Sequence, residues 1–299
     1  MAAFISLTFI MVVNQFLTLQ RQIKRWFNNF TLATIVFSIC CYVYAKKIEP
    51  NWIEVVPIQL AIPHLEQNFD DFKIVQISDL HLNKFMLAAR IAKTIKLVNQ
   101  QQPDLIAITG DFITQGQDFE PNQLILELSK LESKLGTFAV LGNHDHWGNN
   151  IDLLIESLEQ NKINLLNNQV YMINRDEQKL ALAGLDDPYW GDPNLSKIIA
   201  QLPDNPTAIL LVHEPDYIEK SAKTHKFALQ LSGHSHGGQI KVPFLAPLIL
   251  PYGAKKYFAG LDRVENTITY TNRGIGMTGL PLRLGSRPEI TVFTLHSLK

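Results

Sequence analysis

Five times after residue 72, a short apolar run ends abruptly in polar residues. Lys73–Ile77 ends in Ser78-Asp79-Leu80-His81, Asp104–Thr109 in Gly110-Asp111, and Thr137–Leu141 in Gly142-Asn143-His144-Asp145-His146. Later, Thr207–Val212 ends in His213, and Phe227–Leu231 leads to Gly233-His234-Ser235-His236-Gly237-Gly238-Gln239. Runs so short and so rich in branched residues read as buried strands. Between the early ones lies helical spacing: Ile91, Ile95 and Val98 in Leu87–Gln102, Leu124, Leu128, Leu131 and Leu135 in Pro121–Leu135, then Ile151–Leu158. That βαβαβα order predicts a parallel sheet clad in helices, with its C-terminal strand ends on one rim. Beyond it, Gln169–Ile173 and Lys179–Ala183 read as a hairpin and Asn194–Leu202 as a helix. Thr267–Tyr270 and Glu289–Leu295 read as further strands, so a second sheet is expected to pack on the first.

A buried strand gains nothing from a polar tip, because unpaired desolvated groups cost free energy. Alone, Gly110-Asp111 is a turn and His213 a core histidine; together the tips are a ligand set. They bring Asp79, Asp111, Asn143, His81, His213, His234 and His236 towards one rim. Residues two apart in an extended chain point the same way, so Asp79/His81 and His234/His236 can each serve one centre as a pair. Carboxylate, imidazole and amide donors without thiolate suit Mn, Fe, Zn or Co. Seven candidates exceed one tetrahedral zinc. They suit two divalent ions sharing a carboxylate, an arrangement that serves phosphoryl displacement at about 3.5–4 Å separation.

In order and spacing, Asp79-x-His81, Gly110-Asp111, Gly142-Asn-His-Asp145, His213 and Gly233-His-Ser-His236 resemble the calcineurin-like metallophosphoesterases. Gly237-Gly-Gln239, Thr271-Asn-Arg-Gly-Ile-Gly276 and Arg287-Pro-Glu-Ile-Thr291 are similar to a membrane-anchored bacterial branch of phosphodiesterases and UDP-2,3-diacylglucosamine hydrolase-like proteins. The resemblance implies a four-layer α/β/β/α sandwich. It implies one ion on Asp79, His81, Asp111 and His236, and a second on Asp111, Asn143, His213 and His234, with Asp111 bridging. It gives His144 the role of protonating the leaving oxygen or stabilising the phosphoryl group, with Asp145 orienting it. A non-catalytic metal-binding scaffold and a nuclease of the same fold are the alternatives.

Upstream, Met1–Gln20 and Trp26–Ala45 carry no charge, and each is about long enough to span a bilayer as a helix. Arg21, Lys24 and Arg25 precede the second window and Lys46-Lys47 close it. The positive-inside rule then expects an extracytoplasmic catalytic domain. The expected division is a membrane anchor of one or two helices at 1–47, a tether and edge strand at 48–71, and the catalytic domain at 72–299. A net charge of −1 with intermixed signs gives no basic nucleic-acid surface. Cys40 and Cys41, the only cysteines, form no zinc or redox motif. Among Arg263, Arg273, Arg283 and Arg287, Arg273 is the expected substrate phosphate fork. The proline-broken apolar segment Val242–Tyr252 follows His236 closely. It is expected to form a lip for a lipid-linked phosphodiester or pyrophosphate substrate, linking the enzyme to lipid metabolism.

Overall fold

The computed structural model describes residues 2–298 except 83–87, 115–120, 148–150, 204–206, 242–246 and 248–249, with backbone alone for 2–8, 88 and 121–124. The chain forms two compact units, Met1–Ile48 and Glu49–Lys299. The first is one continuous helix, α1 (Ala2–Val43), ending in a wider turn over Tyr44–Ile48. Neither Gly nor Pro occurs before Pro50 to break it. Thr18, Thr34 and Ser38 return their hydroxyls to carbonyls four residues back, so they do not interrupt it either. The two apolar windows therefore share one helix that runs straight through Arg21–Arg25, without the reversal that two spans would need. Its 42 residues reach about 63 Å, roughly twice a bilayer core. Every side chain from Phe9 to Cys40 is exposed, and the described part is apolar enough to cross a membrane.

In the second unit the strands are β1 (Glu54–Ile62), β2 (Phe72–Ile77), β3 (Leu105–Thr109), β4 (Thr137–Val140), β5 (Ile163–Leu165) and β6 (Gln169–Arg175). There follow β7 (Gln178–Gly184), β8 (Thr207–Leu211), β9 (Leu229–Ser232), β10 (Gly260–Val264), β11 (Thr267–Thr271) and β12 (Glu289–Ser297). They form two six-stranded sheets, ordered β1-β12-β2-β3-β4-β5 and β10-β11-β9-β8-β7-β6. β2 to β5 are mutually parallel, as are β7, β8, β9 and β11, so both sheets send the tips of these strands to one rim.

Side-chain alternation sorts each strand into layers. Ile74, Leu105, Phe138 and Val140 of the first sheet meet Leu182, Ile209, Leu211 and Leu229 of the second in the core between the sheets. The alternate residues Val75, Ile77, Ile106 and Ile108 face outward onto α2 (Ala88–Asn99), α3 (Pro121–Leu128) and α5 (Ile151–Gln160). Across the molecule Ala181, Ala183, Ala208 and Leu210 pack on α6 (Leu195–Gln201) and on Tyr217, which precedes α7 (Ile218–Ser221). This is the α/β/β/α sandwich. One short helix, α4 (Asn143–His146), sits at the tip of β4.

Three features differ from the sequence reading. α3 stops at Leu128 rather than Leu135, because Ser129 turns its hydroxyl onto Leu126 O and Asn99 captures Lys130 O and Glu132 N. β5 and β10 are additional strands. The compact unit begins at Glu49, not near Phe72: β1 pairs in parallel with β12 along its whole length, and Glu49 is buried. Of the Val242–Tyr252 segment, 242–246 and 248–249 lie outside the described residues.

Candidate metal centre

Below the rim, buried polar links fix the strand ends. Gln76 donates to Thr109 Oγ1 and, across the two sheets, to Ser232 O, both at 2.9 Å. Ser78 Oγ donates to Thr109 O at 3.0 Å. Above them the chain turns sharply. Asp79, His81, Asp111, His234 and His236 all have φ between 45° and 72°, the left-handed region that non-glycine residues seldom occupy. Holding such conformations costs on the order of 1–3 kcal/mol each and marks sites where geometry serves chemistry.

The structure brings the strand tips into two adjoining clusters, Asp79/His81/His236 and Asp111/His213/His234. His81 Nε2 lies 3.0 Å from His236 Nε2, and Asp79 Oδ1 lies 3.4 Å from the latter. In the other cluster His213 Nε2 lies 3.2 Å from His234 Nδ1. Asp111 Oδ2 stands between the clusters, 3.5 Å from His81 Nε2 and 3.2 Å from His213 Nε2. Nitrogens about 2.0–2.1 Å from a shared ion would be separated by roughly 2.9–3.4 Å, so these spacings suit ligands of common ions.

Hydrogen bonding tests the fit further. His213 Nδ1 meets Thr109 O at 2.6 Å and His234 Nε2 meets Tyr252 O at 2.9 Å, so each of these nitrogens donates its proton to a carbonyl. The lone pairs left on His213 Nε2 and His234 Nδ1 then face each other, which is unfavourable without a cation or proton between them. Asn143 Oδ1 is likewise buried and accepts nothing. The donor set therefore fits divalent metal.

In the metal-free chain, protons take up part of this load. Burial opposes charge on His213, yet Asp111 beside it pushes its pKa well up. Burial drives His81 down to about 3 and His234 to about 4. Burial, with Asp111 adding to it and His213 opposing, raises Asp79 to about 6. A proton on Asp79 competes with metal, so occupancy at fixed free Mn should fall as pH drops through about 6. The raised value also means that the metal-free fold loses stability as pH rises through the same range. Metal titrations between pH 7 and 5 check this; unchanged affinity would contradict it.

The remaining sequence candidates divide. His144 lines a cavity of about 910 Å³ beside Asp111 and Asn143. Its backbone N–H donates to Asp111 Oδ1 at 2.9 Å, while its Nδ1 has no partner. Burial, opposed by Asp111, lowers its pKa. Asp145 does not touch that imidazole: its carboxylate accepts from Gly142 N at 2.9 Å and Ile113 N at 3.1 Å, bracing the turn instead. Burial, then the Asp111 charge, raises Asp145 to about 7. Arg273 is not a free fork, since its guanidinium pairs with Glu289 and, at 2.9 Å, with Glu54. Arg283 is fully buried and donates to Ser286 O, Arg273 O, Gly274 O and Gly276 O.

A scan against family models matches residues 72–238 to the calcineurin-like phosphoesterases. The chain belongs to that family. It is 38% identical to an uncharacterised metallophosphoesterase of Bacillus subtilis, YkuE, over 86% of this chain and 90% of the relative. It is 34% identical to the phosphodiesterase YaeI of Escherichia coli, over 91% and 98% respectively. A transmembrane protein with a metallophosphoesterase domain from Danio rerio is 29% identical over 90% of this chain and 63% of its own length.

The sequence reading of this phosphoesterase missed the aromatic wall of the cavity. Trp147, Tyr189, Trp190, Glu214 and Tyr252 line the same cavity. Asp186 accepts from His146 Nε2, Asp187 N and Asp192 N, and Asp187 from Tyr189 N and Trp190 N, all at 2.8–2.9 Å. These two aspartates hold the loop that presents both aromatics. Trp147 Nε1 is buried without a partner, and the Glu214 carboxyl is buried against that of Asp187. Burial first, opposed by His213 and reinforced by Asp187, pushes Glu214 well up. The doublet Asp186-Asp187 was the available signal, but it follows a strand no motif singles out.

Close packing makes the centre intolerant of added atoms. A Cβ on Gly233 would lie 1.9 Å from Ser78 Oγ and 2.4 Å from Asp79 Oδ2. Gly233→Ala should destabilise the protein by roughly 1–3 kcal/mol and lower its metal content. Thermal melts and elemental analysis check both.

Proposed function

We propose that this enzyme is a dinuclear metal-dependent phosphodiesterase acting on a lipid-linked substrate outside the cytoplasm. The observation that carries the dinuclear reading is Asp111 Oδ2, set between two histidine clusters at 3.5 and 3.2 Å. Asp79, His81, His236 and Asp111 would hold one divalent ion, and Asp111, Asn143, His213 and His234 the other; Mn, Fe, Zn or Co suits these donors. Bound metal supplies Lewis acidity and neutralises phosphoryl charge. The chain's own residues do the rest. Asp145 holds the Gly142 turn, which places Asn143 and His144. His144 offers an N–H to the phosphoryl or leaving oxygen. Trp147 lends an aromatic wall to the same cavity.

Charge in the cavity supports a diester over a pyrophosphate. Among its described lining residues there is no Lys or Arg to hold a second phosphate. The apolar N-terminal helix supports a membrane-embedded substrate, and the excess of Arg21, Lys24 and Arg25 over Lys46-Lys47 supports the extracytoplasmic side.

Purified full-length protein should carry two transition-metal ions per chain. Chelation should abolish hydrolysis of a chromogenic phosphodiester, and Mn should restore it. One ion per chain with full activity would overturn the dinuclear reading; preference for monoesters would overturn the diesterase. A reporter fused after Lys299 should be active only outside the cytoplasm.

A further inference from the structure

The cavity mouth and the start of the second unit lie on the same rim. β1 begins at Glu54 opposite Glu289, the first residue of β12, and β12 runs antiparallel to β2, so Glu54 lies at the end of the sheet from which Asp79 projects. Glu49, the first residue of the unit, accepts from Ser286 N at 2.6 Å, and Ser286 Oγ donates to His236 O at 2.7 Å. Three residues on, Trp52 is half exposed beneath the Arg287 guanidinium, 3.7 Å from its ring centre. Glu49 to Glu54, the residues that follow the apolar helix in the chain, thus lie next to the metal rim of their own unit.

The same rim carries large apolar side chains in the open. Tyr252 is 74% exposed, Leu280 61% and Trp190 57%, and all three line the cavity. Trp190 stands edge-on to Trp147 at 5.0 Å and Tyr189 edge-on to Tyr252 at 4.7 Å, so aromatic pairs bound the opening. Tyr and Trp, apolar bodies with polar tips, are the residues that settle at a membrane–water interface. Other large hydrophobics of this unit are exposed on other elements, such as Leu126 on α3, Leu153 on α5 and Leu261 on β10.

We propose that this rim is a membrane-docking surface. Trp190, Tyr189, Tyr252 and Leu280 enter the headgroup layer of the bilayer that holds α1, and the metal cavity opens directly onto lipid headgroups. The inference rests on the lipid-phosphodiesterase reading for its purpose, but its geometry can be tested without any activity.

The full chain, with Cys40→Ser and Cys41→Ser, would be placed in phosphatidylcholine–phosphatidylglycerol nanodiscs. A nitroxide would be attached at Leu280→Cys, at Trp190→Cys, or at Glu177→Cys on the hairpin turn at the opposite end of the second sheet. Labels at 280 and 190 should collide several-fold more with lipid-partitioned oxygen than with an aqueous nickel chelate, and the label at 177 should show the reverse. Nickel accessibility at both 280 and 190 equal to that at 177 would overturn docking and leave the rim to a soluble ligand or protein partner. Embedded labels in a protein inactive on every phosphodiester would instead sustain the surface and sink the enzymatic reading.

Discussion

Asp111→Asn is expected to reduce phosphodiester turnover by on the order of 10³-fold or more, a loss of several kcal/mol of transition-state stabilisation. The substitution is nearly isosteric, so its effect isolates charge. Asp111 Oδ2 lies near both clusters, 3.5 Å from His81 Nε2 and 3.2 Å from His213 Nε2. Its other oxygen accepts from His144 N at 2.9 Å. An asparagine can keep that backbone bond through its carbonyl. It then turns an amide N–H₂ towards the imidazole nitrogens and supplies no charge to either ion. Metal content should fall towards one ion per chain, and tighter chelation control should be needed to keep even that. A variant with two ions and full turnover would remove Asp111 from the bridging position.

The candidate ligands could be picked out because their types and their place after apolar runs are written in the chain, and a parallel sheet gathers strand ends without further information. The layers were legible because the βαβαβα order calls for helices on a parallel sheet and the strand-rich second half for another sheet packed on it. What escaped depends on long-range pairing. Arg273 looked free in its Gly-rich turn, but its partners Glu54 and Glu289 lie 219 and 16 residues away, brought together only when β1 and β12 pair. Glu49 looked like part of a tether because Ser286, which fixes it, is 237 residues distant. The aromatic wall was missed because Asp186-Asp187 acts through backbone amides of its own loop and through His146, 40 residues away, and such bonding leaves no spacing signature. The left-handed backbone at His81, His234 and His236 is equally silent in sequence, since few non-glycine residues adopt it and nothing in the spacing marks which do.

His144→Ala should lower turnover by roughly 10²–10⁴-fold while leaving metal content near normal. The side chain has three neighbours that matter. Its ring stands edge-on to His81 at 4.8 Å and to Trp147 at 4.6 Å, and it lines the cavity beside Asn143. Burial lowers its pKa, so at neutral pH in the metal-free protein it is a neutral imidazole with one N–H to give. That favours donation of a hydrogen bond to the phosphoryl or leaving oxygen over full proton transfer. His144→Gln separates the two roles, because glutamine keeps an N–H donor and cannot act as an acid near neutrality. If His144 acts by hydrogen bonding, the Gln variant should recover part of the lost rate, most visibly with a good leaving group such as nitrophenolate. If it acts as an acid, Gln should be as poor as Ala, and both should suffer least with that leaving group. Loss of metal in His144→Ala would give a third answer: His81, Asp111 and His144 also place ligand atoms within 4.8 Å of one another, and the imidazole would then belong to the metal shell.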